Sequence, residues 1–72
     1  MNMTKPIEVH LIEKTDKDGK PLEPREFLYA PSHPKTITSI ENACLTSSLD
    51  LAKSRLHNFP DPGRIITLVE KD

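Results

Sequence analysis

The sequence contains no tryptophan, one cysteine, two glycines, two phenylalanines and one tyrosine. With Cys44 alone, no internal disulfide can form, and the fold must rest on apolar burial. With Gly19 and Gly63 alone, no glycine-rich phosphate loop or dinucleotide fingerprint can be written. No apolar run approaches the ~18 residues of a membrane span. The stretch before Ile7 lacks an apolar segment with a small-residue cleavage site, so no secretory signal is read there. Asn2-Met3-Thr4 matches a glycosylation sequon, but without a secretory route it is read as chance. The expectation is a cytoplasmic protein with no membrane association. Charge of one sign is also missing: 10 Lys+Arg stand against 11 Asp+Glu, for a net charge of -1. This excludes the electrostatic footprint of nonspecific nucleic-acid binding and the acidic excess of a DNA mimic.

What is present is short and polar. The 72 residues, 35% hydrophobic and 29% charged, suffice for a single small domain over 1–72, with residues 1–5 expected to be flexible. A core of this size supplies only about 3–5 kcal/mol. Association with itself or with a protein partner is the usual supplement. A large ligand cavity and a multi-part catalytic machine do not fit.

Along the chain, Ile7, Val9 and Leu11 alternate with Glu8 and His10, the period of a half-buried strand. Thr15 to Lys20 is polar and contains Asp18-Gly19, a strong hairpin signal. Arg25 to Ala30 reads as the returning strand. Pro21 and Pro24 make the first half of that arm an edge. Pro31 and Pro34 break the chain. Thr36 to Leu45 is ambiguous: Ile37, Ile40 and Cys44 recur near helical spacing and Thr38/Glu41 matches a capping box, while a strand over 35–39 competes. From Ser47 or Ser48 a helix is clear, with Asp50 in its first turn and Lys53, Arg55 and His57 in its last, and it runs to about His57. Leu49, Ala52 and Leu56 mark its buried face, joined by Leu45. Pro60 and Pro62 forbid its continuation, Asp61-Pro62-Gly63 is a turn, and Arg64 to Glu70 is a β-branched strand. The economical packing is α+β: a small three-stranded, mostly antiparallel sheet with one main helix on one face, in the order ββαβ.

A two-residue type I′ turn at Asp18-Gly19 sets a definite register: Val9 opposite Leu28, Leu11 opposite Glu26, His10 opposite Phe27. The helix then covers the aliphatic side. His10, Ile12, Phe27 and Tyr29 fall on the outward side as an apolar patch, and such patches mark interaction sites. A longer turn that slips the register by one residue sends the aromatics inward instead.

Other constellations carry less. His10, His33, Cys44 and His57 include no pair at the close spacing of a zinc hairpin, so no metal and no cofactor is expected. Cys44 with His57 lacks an orienting third group, and no residue is assigned a catalytic role. Placing Gly19 at the sixth position of a calcium loop puts Lys14 and Arg25 where acidic ligands belong. Ile40 to Leu56 can be drawn as a helix-turn-helix, but its turn lacks glycine and Asp50 would face phosphate. Lys53, Arg55 and Arg64 form a candidate nucleic-acid contact, against the plainer role of cations at a helix C-terminus.

The stretch Ser48-Leu49-Asp50-Leu51-Ala52-Lys53 resembles the short S-L-x-x-A-K helices of small accessory proteins of phages and other mobile elements. That resemblance implies an inhibitor or adaptor and carries over no site residue. The expected function is a non-enzymatic protein–protein interaction module, binding a partner protein or itself as a homodimer through His10, Ile12, Phe27 and Tyr29. The alternative is a small nucleic-acid-binding regulator that uses Lys53, Arg55 and Arg64.

Overall fold

The computed structural model describes residues 7–30 and 33–70. The flexibility expected of residues 1–5 lies outside them. The elements are β1 (Ile7–Thr15), β2 (Pro21–Ala30), β3 (His33–Ile37), a 3-10 turn at Ile40–Asn42, α1 (Leu49–Asn58) and β4 (Gly63–Glu70). All strands join one antiparallel sheet in the order β3-β2-β1-β4. The class is α+β, as expected, but the sheet has four strands rather than three. The additional strand begins at His33, runs through Pro34, where a chain break was expected, and ends in the start of the ambiguous segment. There the β-branched pair Thr36-Ile37 suits an extended chain, and it pairs with Leu28 and Phe27 of β2. Helical structure survives only as the single turn after Ser39, which has no side-chain cap.

The hairpin turn is longer than a type I′ turn. Asp16 N–H donates to Lys20 O at 2.9 Å, and Gly19 N–H donates to Asp16 O at 3.1 Å. The Asp16 carboxylate accepts from the amides of Asp18 and Lys20, both at 2.9 Å. Gly19 has φ of 85° and, among the described residues, no other has positive φ, so Asp18 is not in the conformation a type I′ turn requires. Asp16 thus folds a three-residue loop around its own side chain.

The register changes accordingly. Glu13 lies opposite Phe27 and Lys14 opposite Glu26, while Thr15 lies opposite Pro21. Four residues of β2, 22–25, bulge out between these pairs. Farther from the turn, β1 and β2 part, and the segment Cys44–Thr46 fills the gap. Cys44 N–H donates to Leu28 O at 2.9 Å, and Thr46 and His10 exchange backbone bonds of 2.7 and 3.0 Å.

Helix α1 begins at Ser48, whose hydroxyl accepts from Leu51 N–H at 3.1 Å, and packs over β1 and β4. Beneath it Ile12, Leu28 and Phe59 form the core, with Leu56 and Ile65 packed against them. Ala52 is buried as well. Leu49 and Leu45 are not core: they are 43% and 41% exposed. The packed stripe runs through Ala52, Leu56 and Phe59, toward the C-terminal end of the helix. Among the described residues, no helix is long and apolar enough to cross a membrane.

Candidate functional site

Strand alternation divides the residues of β1 between two faces. Ile12 looks toward the helix, while Leu11 and Glu13 look the other way, beside Phe27. No described helix or strand layer covers that second face. Yet Leu11, Glu13 and Phe27 are each no more than 2% exposed. Two long side chains reach Glu13 there, and one of them also covers the Phe27 ring. Arg25 projects from the bulge of β2 and Arg64 from β4, and both converge on the Glu13 carboxylate.

The geometry is close. Arg25 Nε donates to Glu13 Oε2 at 2.7 Å and its Nη2 to Oε1 at 3.0 Å. Arg64 Nε donates to Oε1 at 3.0 Å, with its Nη2 also 3.0 Å away. The Arg25 guanidinium also stands over the Phe27 ring, 5.2 Å from its centroid, within cation–π range. Hydrogen bonds from Arg25, then from Arg64, hold the Glu13 carboxyl below the usual glutamate range, against the opposing pull of burial. The glutamate side chain is fully buried, while those of Arg25 and Arg64 remain 49% and 44% exposed. A guanidinium has five N–H donors, so each arginine keeps some free for a partner. Two cations against one anion leave this part of the face positive.

Tyr29 stands on the same face, two residues beyond Phe27 on β2, and is 51% exposed. Of the four residues expected to bind a partner, then, Tyr29 is at the surface, and Phe27 lies on the open face but beneath Arg25. His10 and Ile12 are corrections. The altered register turns both toward the helix side, where Ile12 is 1% exposed and belongs to the core. His10 is 5% exposed, and its Nδ1 lies 2.8 Å from Thr67 Oγ1.

The expected cationic group of Lys53, Arg55 and Arg64 does not assemble. Lys53 and Arg55 are on α1, and Arg64 points from the opposite side of the sheet. Arg55 Nε and Nη1 are shielded from water with no hydrogen-bond partner among the described residues. Sequence reasoning missed Glu13 and Arg25 because the pairing that joins them depends on the bulge. The available signal was a glutamate at an inward position of a strand with arginines on both neighbouring arms. Among the described residues, no cluster of three His, Cys, Asp or Glu side chains could hold a metal ion. Compared with protein families, curated proteins and solved structures, the chain finds no match.

Proposed function

We propose that this protein is a non-enzymatic binding module that docks an acidic protein surface on the open face of its sheet. The observation that carries this reading is the half-exposed pair Arg25 and Arg64, fixed by Glu13, beside the exposed Tyr29. Arginine and tyrosine are the residue types that most often dominate protein interfaces. Here Glu13 pre-orients both guanidiniums, so less side-chain freedom is lost on docking. Their surplus positive charge selects a partner presenting carboxylates around an apolar recess for the tyrosine ring. Such a module acts by occupying a surface, as an inhibitor or adaptor does. That agrees with the likeness of Ser48 to Lys53 to accessory proteins of mobile elements and with a cytoplasmic setting. The nucleic-acid alternative draws less support, since Lys53 and Arg55 do not share a face with Arg64.

The test is capture from the native lysate by the parent protein and by Tyr29→Ala and Arg64→Ala variants, followed by titration of the purified captured protein. The expected result is an acidic protein held by the parent, bound at least ~10-fold more weakly by Tyr29→Ala and more weakly at high salt. Equal binding by all three proteins would refute the open face as the site. A gel shift at ~50 mM salt, where phosphate contacts are strongest, is the control for nucleic acid.

A further inference from the structure

The two edges of the sheet differ. β3 is five residues long, contains Pro34 and Lys35, and shows a register break against β2. These are the devices that keep an edge from pairing. β4 has none of them. It runs eight residues, Gly63–Glu70, pairs with β1 at every position without a shift, and contains no proline or lysine. Among the described residues, no strand lies on its outer side.

The hydrogen-bond phase of that outer side can be read from its inner one. Thr15 N–H donates to Pro62 O at 2.9 Å, which makes Thr15–Pro62 a hydrogen-bonded position of the antiparallel ladder. Such positions alternate. Arg64, Ile66 and Leu68 therefore direct their backbone groups toward β1, while Gly63, Ile65, Thr67 and Val69 direct theirs outward. His10 confirms the phase independently: it lies opposite Thr67 and sends its own N–H and C=O the other way, to Thr46.

We infer that β4 pairs with β4 of a second copy of this chain, antiparallel about a two-fold axis through Thr67. The phase requires residues with outward backbone groups to meet each other, so the axis must pass through a residue and not between two. Centred on Thr67, the register sets Ile65 opposite Val69, Ile66 opposite Leu68, and Thr67 opposite its own copy. Apolar positions meet apolar ones, the pairings that stabilise antiparallel strands. Centred on Ile66 the register would set Arg64 against Leu68, and centred on Leu68 it would set Thr67 against Val69. The apolar pairing thus singles out Thr67. The product is a continuous sheet, β3-β2-β1-β4 and then the same order reversed. Both helices lie on one side of it, and both Arg25–Glu13–Arg64 groups lie on the other. The inference uses the edge rather than the open face, so dimerisation and partner capture can fail separately.

Sedimentation equilibrium of the full chain, from low micromolar to near-millimolar concentration, reads the association. The mass is expected to rise from 8.1 kDa toward twice that value. Val69→Pro removes an outward N–H at an exposed edge position, which strands tolerate, and is expected to abolish the rise. The register is read by oxidation in a Cys44→Ser background. Thr67→Cys places two thiols at a hydrogen-bonded pair with Cα atoms ~5.5 Å apart, inside disulfide reach, and is expected to cross-link. Val69→Cys meets Ile65 of the second copy and is not expected to cross-link. A mass that stays at 8.1 kDa throughout, a folded Val69→Pro protein that still dimerises, or cross-linking of Val69→Cys as fast as Thr67→Cys would each overturn the inference.

Discussion

The two glycines hold their places for different reasons. Gly19 adopts φ of 85° with open space around it, so a side chain there would strain the backbone but meet nothing. Gly63 is an ordinary strand residue whose missing side chain makes room. A Cβ at this position would lie 3.0 Å from Phe59 Cδ2 and 3.1 Å from Glu13 O. The ring belongs to the core, and the carbonyl belongs to a strand held on both sides, so neither can retreat freely. Gly63→Ala should therefore lower stability by about 1–3 kcal/mol, the range for overpacking a tight interior. Urea unfolding followed by circular dichroism measures it. A midpoint equal to that of the parent would mean that the Phe59 ring moves aside without loss. The sequence alone suggested only a turn at Gly63. Its contact with Phe59 depends on where the helix hands the chain back to the sheet, and no local pattern encodes that.

At the scale of elements, the helix was the most legible part. A hydroxyl cap, an acidic first turn, a basic last turn and two following prolines placed it within about a residue of Leu49–Asn58. Its apolar stripe was misjudged by one turn. Leu49, Ala52 and Leu56 fit the spacing as well as Ala52, Leu56 and Phe59 do, and periodicity does not say which end of a short helix overlies the sheet. The third aromatic, Phe59, lies just past the last helical turn, where its amide still donates to Leu56 O at 3.1 Å. It fills the core at 8% exposure, whereas Leu49 is 43% exposed. Phe59→Ala should thus cost about 3 kcal/mol through the cavity it leaves. Leu49→Ala should stay within about 0.5 kcal/mol, as surface changes do. Paired denaturant melts of the two variants measure the difference, and equal losses would place Leu49 in the core after all.

For the whole molecule, the faces of the sheet were legible in parity along each strand but not between strands. Phe27 and Leu28 look opposite ways, as alternation demands, and Leu28 lies under the helix. The partners they meet on β1 hinged on the Asp16 loop and the bulge before Glu26. These moved Ile12 beneath the helix and brought Glu13 beside Phe27. The outcome is a sheet whose second face carries one buried carboxylate bound by two arginine side chains, and this ties stability to pH. In the folded chain the Glu13 carboxyl is held below its ordinary range by Arg25 and Arg64, so as pH falls the unfolded chain takes up this proton first. The stabilisation from the trio is then complete above the ordinary glutamate pKa of about 4.3. It declines below that value and is lost as pH passes the lowered pKa of the folded state. Glu13→Gln removes the titrating group and leaves two cations facing a neutral amide. The variant should be less stable than the parent at neutral pH and should lose stability less steeply below about pH 4. Urea midpoints measured between neutral and acid pH test this directly. Parallel acid limbs for parent and variant would show that Glu13 does not govern the acid stability of the fold.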